Sequence, residues 1–141
     1  MPHIVLLYTP NLDAQLDITA LCRQLADVLL NVNDDAGQSV FPKGGTRVLA
    51  YPAAHYAVSD GGAAGLAAGG SGNYGFVYMN LRMGKGRSAS VHQATGSALE
   101  LAARHFFESL LAHLPMGITI QIDEGAEVFD AKISSLHPLF N

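Results

Sequence analysis

Tryptophan is absent, cysteine occurs once, and charged residues make up only 14% of the 141-residue chain. The lone Cys22 excludes an internal disulfide framework and fits a reducing compartment. It falls on the apolar stripe of a predicted helix, where packing is its expected role. Basic residues are outnumbered, eight Lys and Arg against twelve Asp and Glu, for a net charge of −4. That balance excludes the basic face a nucleic-acid partner requires. Long hydrophobic runs are missing too. The stretch 4–8 is far too short for a membrane span or the apolar core of a signal sequence, and no basic segment precedes it. No membrane partner is expected, and the expected location is the cytoplasm.

Ligand motifs are equally scarce. His105 and His113 stand eight apart on one predicted helix, and His3, His55, His92 and His137 form no short metal-binding pattern, so no metal site is expected. Gly70, Gly72 and Gly75 spell G-x-G-x-x-G, but they precede a strand, whereas a dinucleotide site needs them after one. Residues 84–88 resemble only part of a phosphate loop, and no G-x-S-x-G elbow occurs. The residues call for no organic cofactor.

What the chain does have is apolar surface, 49% of its residues. With so few charges on so short a chain, part of that surface is expected to be covered by another copy. Residues 2–8 read as a buried strand. Ile18, Leu21, Cys22, Leu25, Ala26 and Leu29 share one helical face, with Asp17 placed to cap the helix. Residues 34–45 are rich in turn formers, and a strand over 46–51 follows, ended by Pro52. Residues 61–72 are almost all glycine and alanine and read as a mobile loop.

From 74 to 83 the pattern alternates. Val77, Met79, Leu81 and Met83 form a face suited to packing on helices. Tyr74, Phe76, Tyr78, Asn80 and Arg82 form an amphipathic face suited to a subunit interface. A helix over 89–114 follows, with Ser90 and Gln93 at capping-box spacing and Ala98, Leu99, Ala102, Phe106 and Leu110 as its buried stripe. A last strand over 118–123 ends at Gly125. The order predicts one α/β (α+β) domain over 1–141. Two tandem β-α-β units would form a four-stranded sheet with two helices on one face.

Three residues are candidates for chemistry. Methionine is normally trimmed before a small second residue, which would leave Pro2 as a secondary amine fixed to the start of a strand. An α-amino group titrates near 7.7–8.0 in the open. Desolvation and nearby cations lower that value toward neutrality, where the amine can serve as a general base. Arg47 at the entry to a strand and Arg87 just before a helix N-terminus carry permanent charges that fork onto carboxylates. In an acidic chain, an anionic substrate must be drawn in by such local cations.

The sequence resembles the 5-carboxymethyl-2-hydroxymuconate isomerases of the tautomerase superfamily. The likeness runs through Met1-Pro2-His3; through Phe41, Pro42, Gly45 and Arg47; and through Tyr74, Phe76, Val77, Met79, Leu81, Met83, Gly84, Gly86, Arg87 and Ser88. It continues more weakly in His137, Leu139 and Phe140. The resemblance implies a tautomerase-like homotrimer with active sites near subunit contacts. It implies Pro2 as the catalytic base and Arg47 and Arg87 as the groups that bind a small anionic substrate. The implied reaction converts a carboxylated 2-hydroxydienoate from aromatic-compound breakdown to its unsaturated 2-oxo isomer, without metal or cofactor. Two features depart from the family pattern. The segment 61–72 reads as an insertion, and Leu7 stands where relatives carry an acidic residue. A tautomerase of a smaller 2-oxo acid such as phenylpyruvate, and a non-catalytic trimer that binds an acidic metabolite, are the alternative readings.

Overall fold

The computed structural model describes residues 2–140. Its strands are β1 (His3–Tyr8), β2 (Arg47–Pro52), β3 (Gly75–Gly84) and β4 (Met116–Gly125). Its helices are α1 (Ile18–Leu30), α2 (Ala63–Ala67) and α3 (Ala89–Leu111). The strands form one mixed sheet in the order β2-β1-β3-β4. β1 runs parallel to β2 through the α1 crossover, β3 runs parallel to β4 through α3, and the two units meet antiparallel at β1 and β3. This is the tandem β-α-β arrangement expected from the sequence.

Alternation along the strands puts both helices on one face. Ile4, Leu6 and Tyr8 of β1 and Val77, Met79, Leu81 and Met83 of β3 are buried. They share one core with Leu21, Leu25 and Leu29 of α1 and Leu99, Ala103 and Phe107 of α3. Cys22 sits beside this stripe, half-buried, and burial pushes its thiol up, which makes it a poor nucleophile. Among the described residues no helix or strand covers the opposite face of the sheet, and Leu7, Leu49 and Tyr51 are about half exposed on it. Across that face Tyr78 donates to Gln121 Oε1 at 2.9 Å and Asn80 to Asp123 Oδ2 at 2.7 Å.

Asp17 caps α1 as expected, its carboxylate accepting from the Ala20 N–H at 3.0 Å. Asp17→Ala is expected to lower stability by about 1 kcal/mol. A denaturant midpoint unchanged by that substitution would show the cap to be idle.

Four expectations need correction. The cap of α3 is Ser88, which accepts from the Val91 N–H at 3.3 Å, and not Ser90. Only four residues separate β3 from α3, so the chain must enter the helix at Ala89; Ser90 instead donates to Asp35 Oδ2 at 3.0 Å. The buried stripe of α3 is Val91, Thr95, Leu99, Ala103 and Phe107, spaced by four; of the expected stripe only Leu99 is fully buried. Ala102, Phe106 and Leu110 lie one step round the helix, where they flank the core partly buried. The segment 61–72 contains α2 rather than only loop. Asp60 accepts from the Gly62 and Ala64 N–H groups, and the Tyr74 hydroxyl accepts from Gly65 N–H at 2.9 Å, so side chains outside the Gly/Ala run anchor it. Finally, Pro52 belongs to β2 rather than ending it, which an edge strand permits.

Candidate active site

The start of β1 lies between the start of β2 and the end of β3, so one end of the sheet collects all three candidate residues. Pro2 is buried there, and its carbonyl accepts from the Arg47 N–H at 3.3 Å. The expected loss of Met1 lies outside the described residues. Register pairs His3 with Arg47 on one side and with Arg82 on the other, and Arg82 with Asp123. Paired residues share a face, so Arg47, His3, Arg82 and Asp123 form a row across the outer face of the sheet, next to Pro2.

Arg47 is held by its own turn. Its Nη1 donates to Gly44 O at 2.8 Å and Thr46 O at 3.0 Å. Arg87 leaves the end of β3, where its Nη1 donates to Gly84 O at 3.0 Å and its guanidinium lies 5.0 Å from the centroid of the buried Phe41 ring. Stacking on an aromatic face fixes the direction of a guanidinium while leaving other donors for an anion. Among the described residues no carboxylate lies within 4 Å of the basic atoms of Arg47, Arg82 or Arg87. Asp123 is engaged by Asn80 instead.

The charge distribution is lopsided. Lys43, Arg47, Arg82, Lys85, Arg87 and Lys132, six of the eight Lys and Arg residues, lie at this end with six carboxylates, Asp34, Asp35, Asp123, Glu124, Glu127 and Asp130, so the net charge of −4 falls on the rest of the chain. The repulsive field of the acidic chain is therefore weakest here, and the unpaired guanidinium groups are the local attraction open to an anion. His3 reports it: partial burial and the positive charge around it, Arg47 included, hold the imidazole below its ordinary value of 6.5. At neutral pH His3 is therefore uncharged and adds no competing cation. Arg47→Gln is expected to raise the His3 pKa only part of the way back, because burial is the larger cause and remains. An NMR titration in which His3 does not move would show that Arg47 does not face it.

The structure does not bring everything into one cavity. Arg47 lines a cavity of about 350 Å³ with Lys132, Ser134, Ser135 and His137. Arg87 lines another of about 670 Å³ with Lys85, Ser88, Asp34 and Asp35. Pro2 lines neither within a single chain. Arg82, Lys132 and His137 are additions that sequence reasoning did not place at the site. Strand pairing alone brings Arg82 beside His3, and the fold-back of the C-terminal segment brings the other two. Tyr8, a conceivable proton donor, lies at the far end of β1. There burial, aided by its hydrogen bond to Asp13 at 2.7 Å, pushes its phenol up to about 12.

A family model described as 5-carboxymethyl-2-hydroxymuconate isomerase matches residues 2–140. An Escherichia coli protein named 5-carboxymethyl-2-hydroxymuconate Delta-isomerase is 24% identical over 140 residues, 99% of each chain. A crystal structure of a 5-carboxymethyl-2-hydroxymuconate delta-isomerase is 58% identical with a TM-score of 0.96, covering 100% of this chain and 93% of that one. A second, of a 5-carboxymethyl-2-hydroxymuconate isomerase from Deinococcus radiodurans R1, is 31% identical with a TM-score of 0.80, covering 99% and 94%. These likenesses bear out the resemblance read from the sequence and the tautomerase-like fold it implied.

Proposed function

Because the chain belongs to the 5-carboxymethyl-2-hydroxymuconate isomerase family, we propose that it isomerises 5-carboxymethyl-2-hydroxymuconate to its unsaturated 2-oxo isomer, using Pro2 as the base. The observation that carries this reading is the pair of arginines, Arg47 and Arg82, that flanks His3 beside a buried Pro2 at one end of the sheet.

In the proposed reaction the mature chain begins at Pro2, and its secondary amine is neutral at working pH. Burial of Pro2 disfavours the charged form. The amine takes the proton of the 2-hydroxyl group, the C2–O bond becomes a carbonyl, and the dienol electrons shift along the conjugated chain. The prolinium then returns the proton to the distant carbon, which leaves the unsaturated ketone and regenerates the amine. Arg47 and Arg87 hold carboxylates and offset the negative charge that builds on oxygen as the hydroxyl proton leaves. Every proton lost is returned, so the cycle needs no oxidant or reductant.

The same reading makes the enzyme a homotrimer acting in aromatic-compound catabolism in the cytoplasm. No described helix is long and apolar enough to cross a membrane. Leu7, Leu49 and Tyr51 on the open sheet face support assembly, as do the exposed Val128, Phe129 and Ile133 near the C-terminus. The test is ketonisation of the dienol followed by ultraviolet absorbance. Saturable turnover well above the buffer rate is expected, and a rate equal to buffer from a trimmed, assembled chain would refute the isomerase reading.

A further inference from the structure

The proposed substrate sets a charge problem. A muconate is a dicarboxylate, and the carboxymethyl arm adds a third carboxylate; Arg47 and Arg87 supply two cations, while the Arg82 guanidinium is turned toward β4 and packed against Gly125. We propose that Lys132, on the C-terminal segment 126–136, is a specificity-determining residue that binds the third carboxylate, so that this segment forms part of the active site. The proposal rests on the isomerase reading given above.

The path of the chain supports it. β4 ends at Gly125, in register with Gly84 at the end of β3, and the Glu127 carboxylate lies against Gly84. Ten residues later, His137 packs on Gly44, just before β2; a Cβ on Gly44 would lie 3.2 Å from His137 Cα. In the strand order β2-β1-β3-β4 the segment therefore runs from the β3–β4 side to the β2 side, past the start of β1 where Pro2 lies. Its two ends are fixed on either side of the candidate base.

The open cleft that Arg47 lines is walled by this segment. Besides Arg47 its lining residues are 131–137, among them Lys132, Ser134, Ser135 and His137. No carboxylate is among them. Two cations and two hydroxyls around a cleft of about 350 Å³ give an anionic arm charged and hydrogen-bonding partners. Lys132 now pairs with Asp130, but both side chains are about two-fifths exposed. A pair so open to water is weak, so a substrate carboxylate can take the place of Asp130. A flexible ammonium suits that exchange better than a fixed guanidinium.

Lys132→Gln in the full-length chain tests the assignment on two dienols, 5-carboxymethyl-2-hydroxymuconate and 2-hydroxymuconate, which lacks the arm. The expected result is a KM about tenfold higher for the tricarboxylate, with kcat nearly unchanged and both constants unchanged for the dicarboxylate. Lys132→Arg should restore most of the loss. Equal effects on the two substrates, or none on either, would overturn the proposal. A second measurement separates it from the isomerase reading: calorimetric binding of unreactive propane-1,2,3-tricarboxylate. About tenfold weaker binding by Lys132→Gln supports the subsite even if no dienol is turned over, in which case only the isomerase reading falls. Binding that is identical in wild type and Lys132→Gln overturns the subsite, whatever the turnover.

Discussion

Replacing Pro2 with alanine is expected to lower kcat by roughly 10²- to 10⁴-fold, the span that a positioned general base contributes. The substitution keeps an amine at the terminus but changes it from secondary to primary. It also removes the ring that blocks rotation about the N–Cα bond and with it the fixed direction of the nitrogen lone pair. A terminal alanine turns about its own N–Cα bond, so the base loses its alignment as well as its basicity. The substrate carboxylates would still meet Arg47 and Arg87, so KM should move much less than kcat, which is the signature of an interaction made only in the transition state. The pH profile should change as well, since the limb set by the amine belongs to a different group. Equal kcat and an unshifted profile in Pro2→Ala would remove Pro2 from the mechanism.

The second large effect concerns stability. Phe107 is fully buried where α3 meets the sheet, packed edge-to-face on Phe106 with ring centroids 5.1 Å apart. Phe107→Ala is expected to cost about 3–5 kcal/mol, from lost transfer energy and from the cavity left behind. Total stability of a domain is typically about 5–15 kcal/mol, so the variant would sit near the edge of folding. Phe106 is only partly buried and lies one position round the helix. Phe106→Ala should therefore cost distinctly less. Denaturant midpoints of the two variants decide between the observed stripe and the one expected from the sequence. A larger loss for Phe106→Ala would mean that the stripe has been placed on the wrong face of α3.

That contrast shows where reading the sequence stopped short. Alternation in β3 was legible because a strand has a period of two, and one face meets helices while the other does not. α1 was legible because its leucines leave a single apolar face. α3 offers apolar residues on two adjacent rows, Leu99-Ala103-Phe107 and Ala98-Ala102-Phe106-Leu110. Periodicity cannot choose between rows that differ by one residue; the register of the helix on the sheet does. α2 was missed because alanine and glycine carry no pattern, and the groups that anchor it, Asp60 and Tyr74, lie outside the run.

The site divides the same way. Pro2, Arg47 and Arg87 stand out by residue type and by position at the ends of elements. Arg82 looks like any outward strand residue until pairing sets it beside His3. Lys132 lies in a segment with neither periodicity nor motif, and only the return of the chain to Gly44 brings it to Arg47. The concentration of cations at one end is a property of the strand order, which no local pattern encodes.

The central claim is that the free amine of Pro2 does the chemistry, and comparing two forms of the same chain tests it most directly. One form begins at Pro2 and the other retains Met1, each verified by intact mass and assayed for ketonisation of the dienol. The expected result is turnover in the trimmed form and only the buffer rate in the other, whose Pro2 nitrogen is an amide and cannot accept the proton. Equal turnover in both forms would contradict the claim and require a different base.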